Sequence, residues 1–359
     1  MAEPSPRMSG QSSLADDLEM ILTRTLPLWE EMRGGRLFLT GGSGFFGCWL
    51  LESFIHANRI LGLGAEIVVL SRDPTAFRSR APHLASAGCV TLLQGDVTLF
   101  TPPEGAFTHV IHAASELNVA SPQDSLNLIE TTLQGTRRVL DLARERGARK
   151  LLFTSSGAVY GPMTPGRKHL REDDSVSTLS LEPRSAYAEA KRLAELVCAL
   201  YGQEHGIETK IARGFAFLGP HLPLDSHLAA AGFLRSVLRG EPLIIQGDGR
   251  TVRSYLYGAD LAVWLWTILF KGVSRRPYNV GSDVPVTIAE LAAAHGAAAP
   301  VPLEVRILGQ TRPEVLADVY VPDISRARSE LGLDVFTPLA EGIRKSLLHA
   351  STGIVGSNS

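Results

Sequence analysis

The sequence predicts an α/β fold, a doubly wound parallel sheet with helices on both faces, followed by a smaller C-terminal α/β domain. Three observations carry that expectation. Short apolar runs alternate with helical stretches from residue 36 to about 215, the pattern of consecutive βαβ units. The first apolar run leads straight into a glycine-rich turn. Beyond residue 220 the alternation loosens and Pro/Gly punctuation rises, as in a domain assembled from insertions.

In chain order, residues 1–12 are rich in Ser, Pro and Gly, and residues 14–32 carry Leu18, Ile21, Leu22, Leu26 and Trp29 at helical spacing. An amphipathic helix is expected there, covering either the chain's own core or a partner. Gly34-Gly35 ends it, and Arg36–Thr40 reads as the first buried strand. Helices are expected around 47–59, 125–146 and 185–204, and strands over 66–70, 90–93, 109–112, 150–154 and 209–213. The expected division is an extension over 1–35, a core domain over 36–215, a second domain mainly over 216–350 with about 239–262 returning to the core, and a tail over 351–359.

An apolar fraction of 45%, a charged fraction of 20% and a net charge of −2 leave no electrostatic footprint for nucleic acid or an anionic membrane. The apolar run Leu261–Phe270 is half of the roughly 20 residues a membrane span needs, so it reads as a buried helix. The start of the chain lacks the basic and apolar stretches of a secretory signal. Cys48, Cys89 and Cys198 are odd in number and unclustered, which suits reduced packing residues and offers no metal site. A cytoplasmic protein acting on a small molecule is expected.

Thr40-Gly41-Gly42-Ser43-Gly44-Phe45-Phe46-Gly47 follows the first strand and opens a helix. Three glycines at this spacing allow a tight turn, close approach of backbone to a pyrophosphate, and close helix–strand packing, with the phosphates at the positive end of the helix. A dinucleotide fits that arrangement. The second strand ends Leu70-Ser71-Arg72-Asp73, where an acid would hold a ribose diol and basic or hydroxyl groups a 2′-phosphate. Ser71 and Arg72 favour NADP over NAD, while Asp73 lies two residues later than the usual acid and could still reach.

Tyr187 and Lys191, four apart on an expected helix, share one face. A tyrosine near its ordinary pKa of about 10 is a poor base at neutral pH, and an adjacent ammonium stabilises the phenolate. Upstream, the strand Leu151–Thr154 ends in Ser155 and Ser156.

The G-x-x-G-x-x-G spacing, the Tyr-x-x-x-Lys pair and Ser155-Ser-Gly-Ala-Val-Tyr-Gly161 together resemble the extended short-chain dehydrogenases, and within them the nucleotide-sugar epimerase/dehydratase family, over roughly residues 36–345. The resemblance implies a Rossmann-type NAD(P)-binding domain in which Gly41, Gly44, Phe45, Phe46 and Gly47 meet the cofactor. It places Asp96 and Val97 at the adenine, Ala113 and Ala114 against the cofactor, and Ser115 toward the substrate. It makes Ser156, Tyr187 and Lys191 catalytic, with Lys191 also holding the nicotinamide ribose. Gly247-Asp-Gly-Arg-Thr-Val-Arg253 resembles the segment whose arginine grips the nucleotide diphosphate, and Arg312 resembles part of a ribose site. Asp260 is expected to cap the helix beginning at Leu261. Homodimerisation through the helices around 125–146 and 185–204 is implied as well.

Two departures narrow the chemistry. Sugar 4,6-dehydratases of the family carry an Asp-Glu pair after the serine position, and decarboxylases a glutamate two residues on; here Gly157 and Ala158 stand there. Ala216 replaces a substrate-contacting asparagine. The expected activity is therefore a nucleotide-sugar epimerase working through a transient ketone, or an NADPH-dependent 4-ketoreductase. Dehydration and decarboxylation have less support, and a non-catalytic dinucleotide-binding regulator is the remote alternative.

Overall fold

The computed structural model describes residues 12–115, 122–163, 166–174, 182–311, 314 and 316–355. Seven parallel strands form the central sheet: β1 (Arg36–Thr40), β2 (Glu66–Ser71), β3 (Val90–Gln94), β4 (His109–His112), β5 (Lys150–Ser156), β6 (Glu208–Gly214) and β7 (Pro277–Val280), in the order 7-6-5-4-1-2-3. Leu37–Thr40 of β1 and Leu151–Ser155 of β5 are buried, as expected of strands covered on both faces. The first six strands have the Rossmann order. The order reverses between β1 and β4, so a crevice opens beyond their carboxyl ends, where such sheets bind ligands.

Four helices frame the site: α1 (Ser12–Thr25), α2 (Phe45–Leu61), α3 (Pro122–Glu145) and α4 (Ala186–His205). A fifth, α5 (Gly258–Lys271), is buried from Gly258 to Phe270 and packs against α1, α2, β5 and β6. The apolar run Leu261–Phe270 that it contains thus lies inside the protein, and no described helix is long and apolar enough to cross a membrane. Trp29, Trp49, Trp264 and Trp266 are fully buried, and each indole N–H has an acceptor: Thr25 Oγ1, Pro220 O, Asp334 O and Ser53 Oγ respectively.

The expected single N-terminal helix is two. α1 stops at Thr25 and a 3-10 segment, Leu26–Met32, follows with Pro27 in its first turn. Proline has no N–H and cannot continue the α-helical ladder. α1 covers the chain's own core: Ile21 and Leu22 are buried, and the buried Asp17 accepts from Tyr257 Oη (2.7 Å) and Lys345 Nζ (2.6 Å).

The described strands outside the central sheet form three small sheets. Phe217–Leu218 pairs with Leu256–Tyr257, Leu243–Ile245 with Val305–Ile307, and Val252–Arg253 with both Val286–Thr287 and Val319–Tyr320. Within 239–262, the strands Leu243–Ile245, Val252–Arg253 and Leu256–Tyr257 join these sheets, and α5, which starts at Gly258, packs against the core. Asp260 is not a helix cap. α5 begins at Gly258, where a side chain would strike Trp49, and Asp260 instead accepts from Phe336 N (2.7 Å), Thr337 N (2.9 Å) and Thr337 Oγ1 (2.7 Å).

Candidate active site

A cleft of about 320 Å³ lies at the reversal point, walled by the glycine loop, the ends of β2 and β4, and α4. Gly41 and Gly47 are required there by contact. A side chain on Gly41 would lie 2.5 Å from the Ala113 carbonyl, and one on Gly47 would lie 2.3 Å from the backbone of Gly41 and Gly42. Gly44 starts α2 without a side-chain cap, so the first-turn amides of this 17-residue helix are available to an anion. The loop therefore fits a pyrophosphate. Phe45 and Phe46 turn their rings to Phe217, at 6.3 and 4.9 Å between centroids, so their part in such binding is through the backbone.

Gly41, Gly44, Ser71, Arg72, Asp96, Val97, Ala113, Ala114, Ser115 and Lys191 all line this cleft. Asp96 accepts from Thr98 N (2.9 Å) and Thr98 Oγ1 (2.5 Å), which hold its carboxyl below the usual range, helped by the nearby Arg72 charge. Asp73 Oδ1 accepts from Ala76 N (2.9 Å) and caps the helix Pro74–Arg80. That helix brings in Arg80, a cleft residue absent from the sequence expectations, which donates to the Ser43 carbonyl in the glycine loop. Asp73-Pro74 is a helix-start signature that could have placed it. Thr131 and Thr132 of α3 join the same wall.

Tyr187 and Lys191 occupy the first two turns of α4, with Lys191 Nζ 5.9 Å from the centre of the Tyr187 ring. The Lys191 ammonium donates to Thr154 O at 3.0 Å. Burial pushes it down to about 8. His112, at the end of β4, hydrogen-bonds Thr40 Oγ1 and Thr136 Oγ1, at 2.7 and 3.2 Å. Burial, and then the Lys191 charge, push its imidazole down to about 3, so it is neutral at physiological pH.

The strand period separates the two serines at the end of β5. Ser155 is buried and donates to Glu195 Oε1 at 2.5 Å, in a network where Arg213 bridges Glu195 and Tyr160 Oη. Ser156 is half-buried on the other face, and its Oγ accepts from Ala158 N at 3.2 Å.

A second cavity, about 410 Å³, is lined by Ala158, Tyr187, Arg192, Arg253, Asp318 and Tyr320 among others. Arg253 thus shares a wall with Tyr187, its guanidinium paired with Asp318 Oδ2 at 2.7 Å. Tyr320 was missed by sequence reasoning and left no signal there, since it comes from a two-residue strand. Arg312 lies outside the described residues.

UDP-glucuronic acid decarboxylase 1 of Arabidopsis thaliana is 30% identical over 311 residues, covering 86% of this chain and 68% of that protein. UDP-glucuronic acid decarboxylase 1 of Danio rerio is 28% identical over 344 residues, covering 93% and 78%. The structure of Thermus thermophilus UDP-glucose 4-epimerase in complex with NAD superposes with a TM-score of 0.68 at 27% identity, covering 88% of this chain and 98% of that one. Residues 37–281 match the NAD dependent epimerase/dehydratase family, and the chain is an enzyme of that family, an extended short-chain dehydrogenase/reductase.

Proposed function

We propose that this protein is a nucleotide-sugar epimerase that inverts one carbinol carbon through a transient ketone, with Tyr187, Lys191 and Ser156 as its catalytic residues. One observation carries the choice among the family's reactions: the two positions after Ser156 are Gly157 and Ala158, so no carboxyl group stands there to move a proton at a neighbouring carbon. Relatives that are decarboxylases favour loss of a carboxylate as the competing reading.

The residues divide the work. The Tyr187 phenolate takes the proton of the sugar hydroxyl. Lys191, held by Thr154 O, keeps a positive charge beside it and meets the nicotinamide ribose. Ser156 donates to the same sugar oxygen. A bound nicotinamide supplies the hydride acceptor and donor. Arg253, on the wall shared with Tyr187, holds the diphosphate of the substrate, a role suited to a guanidinium's fork of donors.

Ser71, Arg72 and Arg80 line the cofactor cleft, a hydroxyl and two guanidinium groups suited to an adenosine 2′-phosphate, and Asp73 Oδ1 is engaged in its helix cap. That supports NADP over NAD. It is also the observation favouring a second reading, an NADPH-dependent 4-ketoreductase. The protein is proposed to be a homodimer, because Leu193, Leu196 and Leu200 form an exposed apolar stripe on α4, with Leu126 exposed on α3. Incubation with UDP-glucose and with UDP-glucuronic acid, each with NAD or NADP, followed by NMR of the sugar nucleotide, tests the proposal. A hexose epimer supports it; a pentose product replaces it with decarboxylation, and stoichiometric consumption of NADPH with a 4-keto sugar replaces it with reduction.

A further inference from the structure

We propose that the buried Glu195–Arg213 ion pair is a positioning device of the reacting centre, holding both flanks of Ser156 in place against the face of α4 that carries Tyr187 and Lys191. The inference rests on the proposed roles of those three residues and adds two that line neither the cofactor cleft nor the cavity beside Tyr187.

One helical stripe and two strand ends build the device. Tyr187, Lys191 and Glu195 follow one another at intervals of four on α4, so they share a face. Two of them grip consecutive residues of β5: Lys191 Nζ donates to Thr154 O at 3.0 Å, and Glu195 Oε1 accepts from Ser155 Oγ at 2.5 Å. The next residue along that strand is Ser156. Side chains alternate across a strand, so the bond that ties Ser155 to α4 leaves the Ser156 hydroxyl on the opposite face.

Arg213 completes the clamp from β6, where it stands in register with Ser155. Its Nε donates to Glu195 Oε1 at 3.0 Å and its Nη2 to Glu195 Oε2 at 2.7 Å, a two-point pairing that fixes the orientation of both groups. Its Nη1 donates to Tyr160 Oη at 2.9 Å, and that hydroxyl donates to Asn279 Oδ1 on β7 at 2.7 Å. Tyr160 ends the 3-10 turn Gly157–Tyr160 that follows Ser156. One ion pair thus anchors the chain one residue before Ser156 and four residues after it. Ser155, Glu195, Tyr160 and Asn279 are all buried, which shields these bonds from competing water. Burial opposes the Arg213 charge, but Glu195 and Tyr160 outweigh it and raise its pKa, so the guanidinium stays ionised. The distance from Ser156 to Tyr187 depends on how the end of β5 sits against α4, and a misplacement of about 1 Å at a reacting centre can cost as much as 10²-fold in rate.

The test is a double-mutant cycle on the sugar nucleotide that the wild-type enzyme converts, with Ser155→Ala, Ser156→Ala and the pair. Ser155→Ala removes one link of the clamp and strands no charge. It is expected to lower kcat about tenfold with KM and cofactor affinity within roughly twofold, and to change kcat less than about twofold once Ser156 is alanine. Glu195→Gln keeps an acceptor for Ser155 but removes the charge facing Arg213; its kcat per folded molecule is expected to fall at least about tenfold, together with its melting temperature. Wild-type kcat in Ser155→Ala, the same factor lost in both backgrounds, or a Glu195→Gln enzyme that loses melting temperature alone makes the pair merely structural and overturns the proposal, with the epimerase reading intact. A wild type that yields a pentose or a reduced sugar overturns the epimerase reading instead, and the cycle is then measured on that turnover. Failure of the wild-type enzyme to convert any sugar nucleotide overturns both.

Discussion

Lys191 Nζ lies 5.9 Å from the centre of the Tyr187 ring on the same face of α4, yet the two side chains open onto different cavities, Lys191 onto the cofactor cleft and Tyr187 onto the space it shares with Arg253. In the proposed mechanism, the helix wall between the clefts is where a proton and a hydride leave one carbon together. Tyr187→Phe is expected to lower kcat by about 10²–10⁴-fold with cofactor affinity unchanged, as for loss of a general base. Steady-state kinetics with cofactor titration checks both halves.

Lys191 works against stability. Its ammonium, 2% exposed, is pushed from 10.5 to about 8, which makes its burial cost ~3 kcal/mol at neutral pH. The hydrogen bond to Thr154 O is worth about 1 kcal/mol. Lys191→Met should therefore be inactive and about 2 kcal/mol more stable at pH 7. Because the folded-state value is the lower one, the penalty is complete below pH 8 and fades as the pH rises from about 8 to 10.5. Denaturant unfolding at pH 7 and pH 10.5 should show the gain at the first and little at the second.

Arg72→Ala and Arg80→Ala are each expected to weaken NADP binding about tenfold while leaving NAD within roughly twofold, since charge-assisted bonds to a phosphate are the strong ones. Fluorescence titration with both cofactors separates this from general damage. Equal losses for the two cofactors would place both arginines away from the 2′-phosphate.

Asp17 fastens α1 to Tyr257 and Lys345 from a fully buried position. Asp17→Ala strands both partners and should cost about 2–3 kcal/mol, lowering Tm by several degrees with activity per folded molecule unchanged. A thermal melt beside an activity assay decides it.

Leu196→Glu puts a charge in the exposed stripe on α4, where Leu196 is 53% exposed. Sedimentation should show a dimer for the wild type and a monomer for the variant. A monomeric wild type would remove the dimer proposal.

The central sheet was legible because its signals are local: a strand running into Gly41-x-x-Gly44-x-x-Gly47, and β/α alternation through Gly214. Tyr187 and Lys191 were legible for the same reason, four apart on one helix. What was not legible depends on long-range placement. Tyr320 crosses from a two-residue strand, and Asp260 binds Phe336 and Thr337, 76 and 77 residues along the chain. No period in the sequence encodes such contacts. The break at Pro27 was a local signal that helical apolar spacing overrode.

The most direct measurement is turnover of the nucleotide sugar in D₂O, with the product examined by NMR and mass spectrometry. Proton and hydride chemistry at one carbon, with no acid beside Ser156, predicts an epimer carrying no solvent deuterium on carbon. Deuterium on the carbon next to the carbinol centre would contradict it, because that label enters only when a proton is exchanged or a carboxylate lost there.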